Sequence, residues 1–134
     1  MIVADTNVVA YLVLPSPHTA LAERLFLSDP EWVAPLLWRS EMRNVLALYL
    51  RKSLVTLEQA VALQQEAEEI LRGREYEIGS DEVLDLVARS PCSAYDCEFV
   101  ARARILGVPL ATMDRKLVAA FPDTAVLLGD AVAP

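Results

Sequence analysis

The chain has 134 residues, about what one hydrophobic core organises before chains split into separate domains. Twelve Lys and Arg against nineteen Asp and Glu give a formal charge of −7, which excludes holding a polyanion by a general basic excess. Hydrophobic residues make up 54% and charged residues 23%, a balance that excludes a disordered chain and predicts one globular domain over 1–134.

The N-terminus, Met1-Ile2-Val3-Ala4-Asp5, has no basic lead and breaks its apolar run with a carboxylate, so no signal peptide is expected. The next apolar run, residues 8–14, stops at Pro15, short of the roughly 20 residues that span a bilayer. The expected location is the cytoplasm, with no membrane partner. Cys92 and Cys97 lie far from the single histidine, His18, and lack zinc-ligand spacing. A disulfide closing so short a loop would constrain little, so two reduced thiols are expected.

In chain order, short apolar runs predict buried strands at Ile2-Val3-Ala4, Trp32-Val33-Ala34, Pro109-Leu110-Ala111-Thr112 and Ala125-Val126-Leu127, with a polar fifth candidate at Glu75-Tyr76-Glu77-Ile78. Helical spacing covers 18–28, 36–51, 56–72, 81–89, 95–106 and 114–120. Thr56 with Gln59 reads as a capping box, Ser80 or Asp81 as a helix cap, and Gly107 with Pro109 beyond it as a helix stop. Strands buried on both faces and alternating with helices imply an α/β/α sandwich with a mainly parallel sheet of about five strands. The helices over 36–72 read as a hairpin turning at Lys52-Ser53 and clamped onto that sheet.

In an open α/β sheet, ligands bind beyond the carboxyl ends of the strands. Asp5 ends the first strand and Asp114 follows the fourth, although Asp at either place also serves as a helix N-cap. Asp96 opens the helix 95–106, where compensation of the helix dipole would suffice to explain it. Glu41 shares a helical face with Leu37, Val45 and Leu48, so it should pair with Arg39 or Arg43 or be aimed at the edge of the core. Four acids converge only at high electrostatic cost unless a divalent cation joins them. Oxygen donors without His or Cys suit Mg²⁺, with Mn²⁺ as a substitute, and such ions commonly act on phosphoryl groups.

These residues carry a resemblance over nearly the full length. Ile2-Val3-Ala4-Asp5-Thr6-Asn7-Val8, Ser40-Glu41-Met42-Arg43-Asn44, Tyr95-Asp96-Cys97-Glu98-Phe99 and Leu110-Ala111-Thr112-Met113-Asp114-Arg115-Lys116 follow one another in the order of the four motifs of PIN domains of the VapC toxin type, which the chain resembles. The resemblance implies a PIN-like fold and a Mg²⁺-dependent endoribonuclease, the toxin of a type II toxin–antitoxin system. Asp5, Glu41, Asp96 and Asp114 would then be the catalytic and metal-holding acids, with Thr6, Asn7 and Thr112 in support. It further implies an RNA substrate, a cognate antitoxin and a homodimer. The antitoxin would cover a groove between helices 18–28 and 36–51 together with the acidic pocket.

Ser93 fits either a helix start or the Ser/Thr often found before the third acid. Arg39, Arg43, Arg102, Arg115 and Lys116 are candidates for phosphate contact, whereas Arg104 reads as a surface ion pair. Of Tyr11, Trp38, Tyr49 and Tyr95, Trp38 is the first choice for stacking on a base, with packing as the alternative for all four. Two other readings stand beside the nuclease: an α/β phosphohydrolase acting on a small phosphate ester, and a non-catalytic PIN module that binds RNA or protein. Asn7 counts against the first, because the second acid of an Asp-x-Asp nucleophile is missing.

Overall fold

A computed structural model describes residues 1–132; the last two positions of the expected 1–134 domain lie outside the described residues. Five parallel strands, β1 (Ile2–Ala4), β2 (Trp32–Pro35), β3 (Glu75–Tyr76), β4 (Leu110–Thr112) and β5 (Ala125–Leu127), form a sheet in the order β3-β2-β1-β4-β5. The three central strands are fully buried, so their sequences are continuous apolar runs without the alternation of a half-solvated strand. Two-residue β3 and the less buried β5 form the edges.

Helices cover both sides of the sheet, as expected for the PIN-like α/β/α fold. One group comprises α1 (Thr6–Val13), α2 (Thr19–Ser28), α3 (Leu37–Arg51) and α4 (Leu57–Ile70). The other is built on α6 (Ala94–Leu106), which lies across β1, β2 and β4 with α5 (Ser80–Ala88) packed behind it. Short α7 (Arg115–Ala120) and α8 (Leu128–Ala131) pack on β4 and β5. No helix among the described residues is long and apolar enough to cross a membrane.

Helices α3 and α4 form the expected hairpin, and its turn places Ser53 at φ 56°, a left-handed conformation uncommon for a residue with a Cβ. The Thr56–Gln59 capping box is present in both directions, and Gly107 ends α6 at φ 66°. The α5 cap differs from expectation. Gly79 takes the N-cap position, so Ser80 and Asp81 already lie inside the first turn.

Helix α1 was not foreseen. Val8, Val9 and Val13 are β-branched and weak helix formers, and only eight residues are involved. Asp5 caps the first turn, and packing against α2, α3 and α4 buries Thr6, Val8, Val9 and Ala10. Tertiary burial therefore overrides local propensity here. The single turn of α8 was also unforeseen.

Candidate active site

Connections from β1 through β2 to β3 run toward one edge of the sheet, and the connection from β4 to β5 runs toward the other. The switch point therefore lies between β1 and β4, where a crevice opens beyond the strand ends. Asp5 leaves β1 and Asp114 follows β4, with Ala4 in register with Ala111. The first turn of α6 contributes Asp96 and α3 contributes Glu41. All four acids line one cleft of about 540 Å³.

Hydrogen bonds fix the two inner acids. The Thr6 backbone N–H donates to Asp5 Oδ1 at 2.8 Å, and the Thr112 hydroxyl donates to Asp5 Oδ2 at 2.7 Å. Thr112 Oγ1 also accepts from the Asp114 backbone N–H at 3.0 Å, so one buried hydroxyl links both strand-end acids. The Thr6 hydroxyl donates to Glu41 Oε1 at 2.7 Å. Thr6 thus serves two acids, Asp5 through its backbone and Glu41 through its side chain. Asn7 lines the cleft but makes no side-chain hydrogen bond to Asp5 among the described residues.

The capping alternatives hold as well. Asp5 caps α1, Ser93 caps α6 through the Asp96 backbone N–H, and Asp114 Oδ1 accepts from the backbone N–H groups of Lys116 and Leu117. A cap and a ligand role do not compete at Asp114, because its second oxygen takes no part in the cap.

Among the described residues that line this cleft, no cationic side chain accompanies the acids. Burial pushes the Asp5 carboxyl above its ordinary pKa; hydrogen bonds from Thr112 and Thr6 oppose this, and the charges of Asp96 and Asp114 add to it. Glu41 is raised chiefly by burial, opposed by Thr6 and reinforced by Asp5, Asp96 and Glu98. Asp96 is raised by burial and then by Asp114. Among the described residues no three such side chains already meet at ligating distance of one point. The donor set is nevertheless all oxygen, lacks a cationic partner and matches a hard divalent cation in chemistry.

A stability prediction follows from these directions. A carboxyl with a raised folded-state pKa stabilises the fold at low pH, and this stabilisation is lost as pH rises through the folded value. Glu75 runs the other way. Hydrogen bonds from Arg39 lower its pKa, and its contribution persists until pH falls below the ordinary glutamate range. In EDTA, the melting temperature should therefore rise as pH falls from 7 toward the ordinary carboxyl range and decline once pH passes below that range, about 4. Thermal scans at fixed ionic strength check it; a melting temperature that falls monotonically from pH 7 contradicts the uncompensated-acid picture.

Several expected contacts lie elsewhere. Arg39 donates from Nε to Glu75 Oε2 at 2.5 Å, from Nη2 to Glu75 Oε1 at 2.6 Å and from Nη1 to Glu68 Oε1 at 3.0 Å, so its fork is engaged away from the cleft. Trp38 is fully buried, with its indole N–H on Glu75 Oε2 at 2.7 Å. It is a packing residue, and full burial leaves no ring face on which a base could stack, contrary to expectation. Arg102 lies over the Tyr76 ring at 3.8 Å, and Arg104 pairs with Asp123. Arg43, Arg115 and Lys116 are exposed, and Lys116 lines a second cleft that shares Asp96 and Asp114 with the first.

The face that Glu41 shares with Leu37 and Val45 is a wall of the cleft; the core face of α3 carries Trp38, Met42 and Leu46. Ser40 and Asn44 lie on the cleft face and were missed, although Asn44 stands three residues from Glu41. Glu98, whose charge acts on Glu41, was also missed; its own carboxyl is raised by burial. Two more apolar clefts, of about 620 and 550 Å³, are bounded by α4 with α1 and α2 and by α4 with α1 and α3. Neither is the expected groove between α2 and α3.

Residues 2–125 match the family model of the PIN domain. Ribonuclease VapC3 of Pyrobaculum aerophilum (strain ATCC 51768 / DSM 7523 / JCM 9630 / CIP 104966 / NBRC 100827 / IM2) is 27% identical over 124 residues, covering 90% of this chain and 95% of that protein. Among solved structures, PAE2754 from Pyrobaculum aerophilum superposes with TM-score 0.76 at 20% identity, covering 98% of this chain and 92% of that one. FitAcB from Neisseria gonorrhoeae gives 0.73 at 20% identity, covering 95% and 96%. A FitAB structure bound to an IR36 DNA fragment gives 0.72 at 19%, covering 96% and 95%. At these identities the solved structures bear on the fold alone.

Proposed function

The chain belongs to the PIN domain family, and from that premise we propose that it is a divalent-metal-dependent endoribonuclease, the toxin of a VapC-type toxin–antitoxin pair. The single observation carrying this reading is the cleft at the β1/β4 switch point, which Asp5, Glu41, Asp96 and Asp114 line together, with the carboxyls of Asp5, Glu41 and Asp96 raised and no cationic side chain among the described residues that line it. The similarity to Ribonuclease VapC3 supports RNA as substrate.

In this reading Asp5 and Asp96 hold Mg²⁺ or Mn²⁺, and Asp114 completes the site through the oxygen left free by its helix cap. The bound cation would supply Lewis-acid polarisation of the scissile phosphate and stabilise the leaving oxygen. Thr112 and Thr6 keep Asp5 from rotating out of the cleft. Glu41 Oε1 is occupied by the Thr6 hydroxyl, which leaves Oε2 to take a proton from the attacking water. Water adds at phosphorus, the bond to the 3′-oxygen breaks, and the products carry 5′-phosphate and 3′-hydroxyl ends. Exposed Arg43, Arg115 and Lys116 are placed to meet flanking phosphates, and a cognate antitoxin and a homodimer complete the reading of partners.

The test is direct. Single-stranded RNA incubated with purified protein should be cut in Mg²⁺ or Mn²⁺ and left intact in EDTA, with activity restored when the metal is returned. Cleavage that persists in EDTA rejects the acid-quartet mechanism, and binding without cleavage in either metal favours the non-catalytic module.

A further inference from the structure

The four acids account for only part of the cleft they line. Its remaining surface is of a different chemistry. Leu37 and Val45 on α3 present half-buried apolar side chains, and Tyr95, one residue before Asp96, leaves 63% of its surface exposed at the rim. Asn7 and Asn44 line the same space, are exposed, and have no side-chain hydrogen bond among the described residues. Leu37, Asn44 and Val45 stand at helical spacings that put them on one face of α3 with Glu41.

We infer that this part of the cleft is a nucleobase subsite, in which one unstacked base of a single strand lies against the Tyr95 ring and the α3 wall, with its edge met by the amides of Asn7 and Asn44. The inference rests on the reading that the cleft takes RNA. A base has two apolar π-faces and an edge carrying both donors and acceptors. An aromatic ring and an aliphatic wall match the faces, and carboxamides, which donate and accept at once, match the edge. A base is also uncharged, so it enters beside four acids where a second phosphate would be repelled. The volume of about 540 Å³ suits one nucleotide and its phosphate. The adjoining cleft, which shares Asp96 and Asp114, contains Lys116 and gives the next phosphate a cationic place to go. The strand therefore runs from the base at Tyr95, over the acids, toward Lys116.

An RNA octamer with a single abasic nucleotide walked through its sequence tests this. At one position next to the cut, loss of the base should lower kcat/KM about 10-fold in the wild type and in Tyr95→Phe. Tyr95→Ala should cut the intact octamer about 10-fold less efficiently, mainly through KM, and show no further loss at that position. Because Tyr95 is exposed, its melting temperature should stay within about 2 °C of wild type. Full retention of the abasic penalty in Tyr95→Ala, or wild-type kcat/KM on the intact octamer, overturns the subsite. The same comparison in an Asp5→Asn background, read by fluorescence anisotropy, separates binding from cleavage. If the wild type cuts nothing but binding still depends on Tyr95 and on the base, the nuclease reading fails and the subsite stands. If binding is indifferent to Tyr95, the subsite fails whatever the cleavage result.

Discussion

Asp5→Asn and Asp96→Asn are each expected to reduce metal-dependent RNA cleavage by at least about 10³-fold, which corresponds to about 4 kcal/mol of barrier. Each removes a carboxylate oxygen from the acid quartet proposed to hold the metal. The accompanying change in stability has the opposite sign. Asp5 is held above its ordinary pKa mainly by burial, so replacing its charge with a neutral amide should raise the melting temperature of the metal-free protein at pH 7 by about 2–5 °C. Wild type should gain stability on addition of Mn²⁺, and Asp5→Asn should gain little, because a ligand stabilises only through the site that binds it. Thermal scans with and without metal, run beside a cleavage assay, read all three effects. An Asp5→Asn protein that melts lower than wild type in EDTA points to misfolding as the cause of lost activity, and full activity in either variant removes the mechanism.

Trp38→Ala should cost about 3–5 kcal/mol of folding free energy, equivalent to a fall in melting temperature of about 10–20 °C. The side chain is fully buried on the core face of α3, and its loss leaves a large cavity there. It also strips one donor from Glu75, which would keep only its contacts with Arg39. Trp38→Phe keeps most of the volume and loses only the indole N–H, so its cost should be about 1–2 kcal/mol. Denaturant titration gives both values. The pair also separates packing from recognition: Trp38→Phe should cleave RNA at the wild-type rate, and a selective loss of cleavage with stability intact would restore a stacking role to Trp38.

The interior of the fold was legible because burial on both faces writes itself into the chain. Ile2–Ala4, the run at Trp32 and Leu110–Thr112 are too short and too apolar to be anything but central strands. Element β3 reads poorly because an edge strand of two half-buried residues keeps polar side chains. The helix α1 was hidden by its own valines, since an apolar run without polar interruptions has no visible period. At the site, the four acids were legible from their places after strands and at helix starts. The misjudgements concern direction: Arg39, two residues from Glu41, lies about 200° round the helix from it, and Trp38, though an i,i+3 neighbour of Glu41, falls on the buried side of that face, so both meet Glu75. The partners of Thr6 and Thr112 were out of reach for a different reason. They depend on side-chain contacts across 35 and 107 residues, which local pattern does not encode.

That last separation has a consequence for how the molecule comes into being. Asp5 precedes the other three acids, yet the hydroxyl that holds it belongs to the fourth strand, and Asp96 and Asp114 follow only after the helical hairpin and α5. While still being translated, the chain carries its first two acids without the strand that aligns them. A product stopped at residue 90 would lack half the quartet and the β4 edge on which β1 closes. Synthesis order thus delays the cleft: its four acids cannot be brought together until β4 and Asp114 have been made.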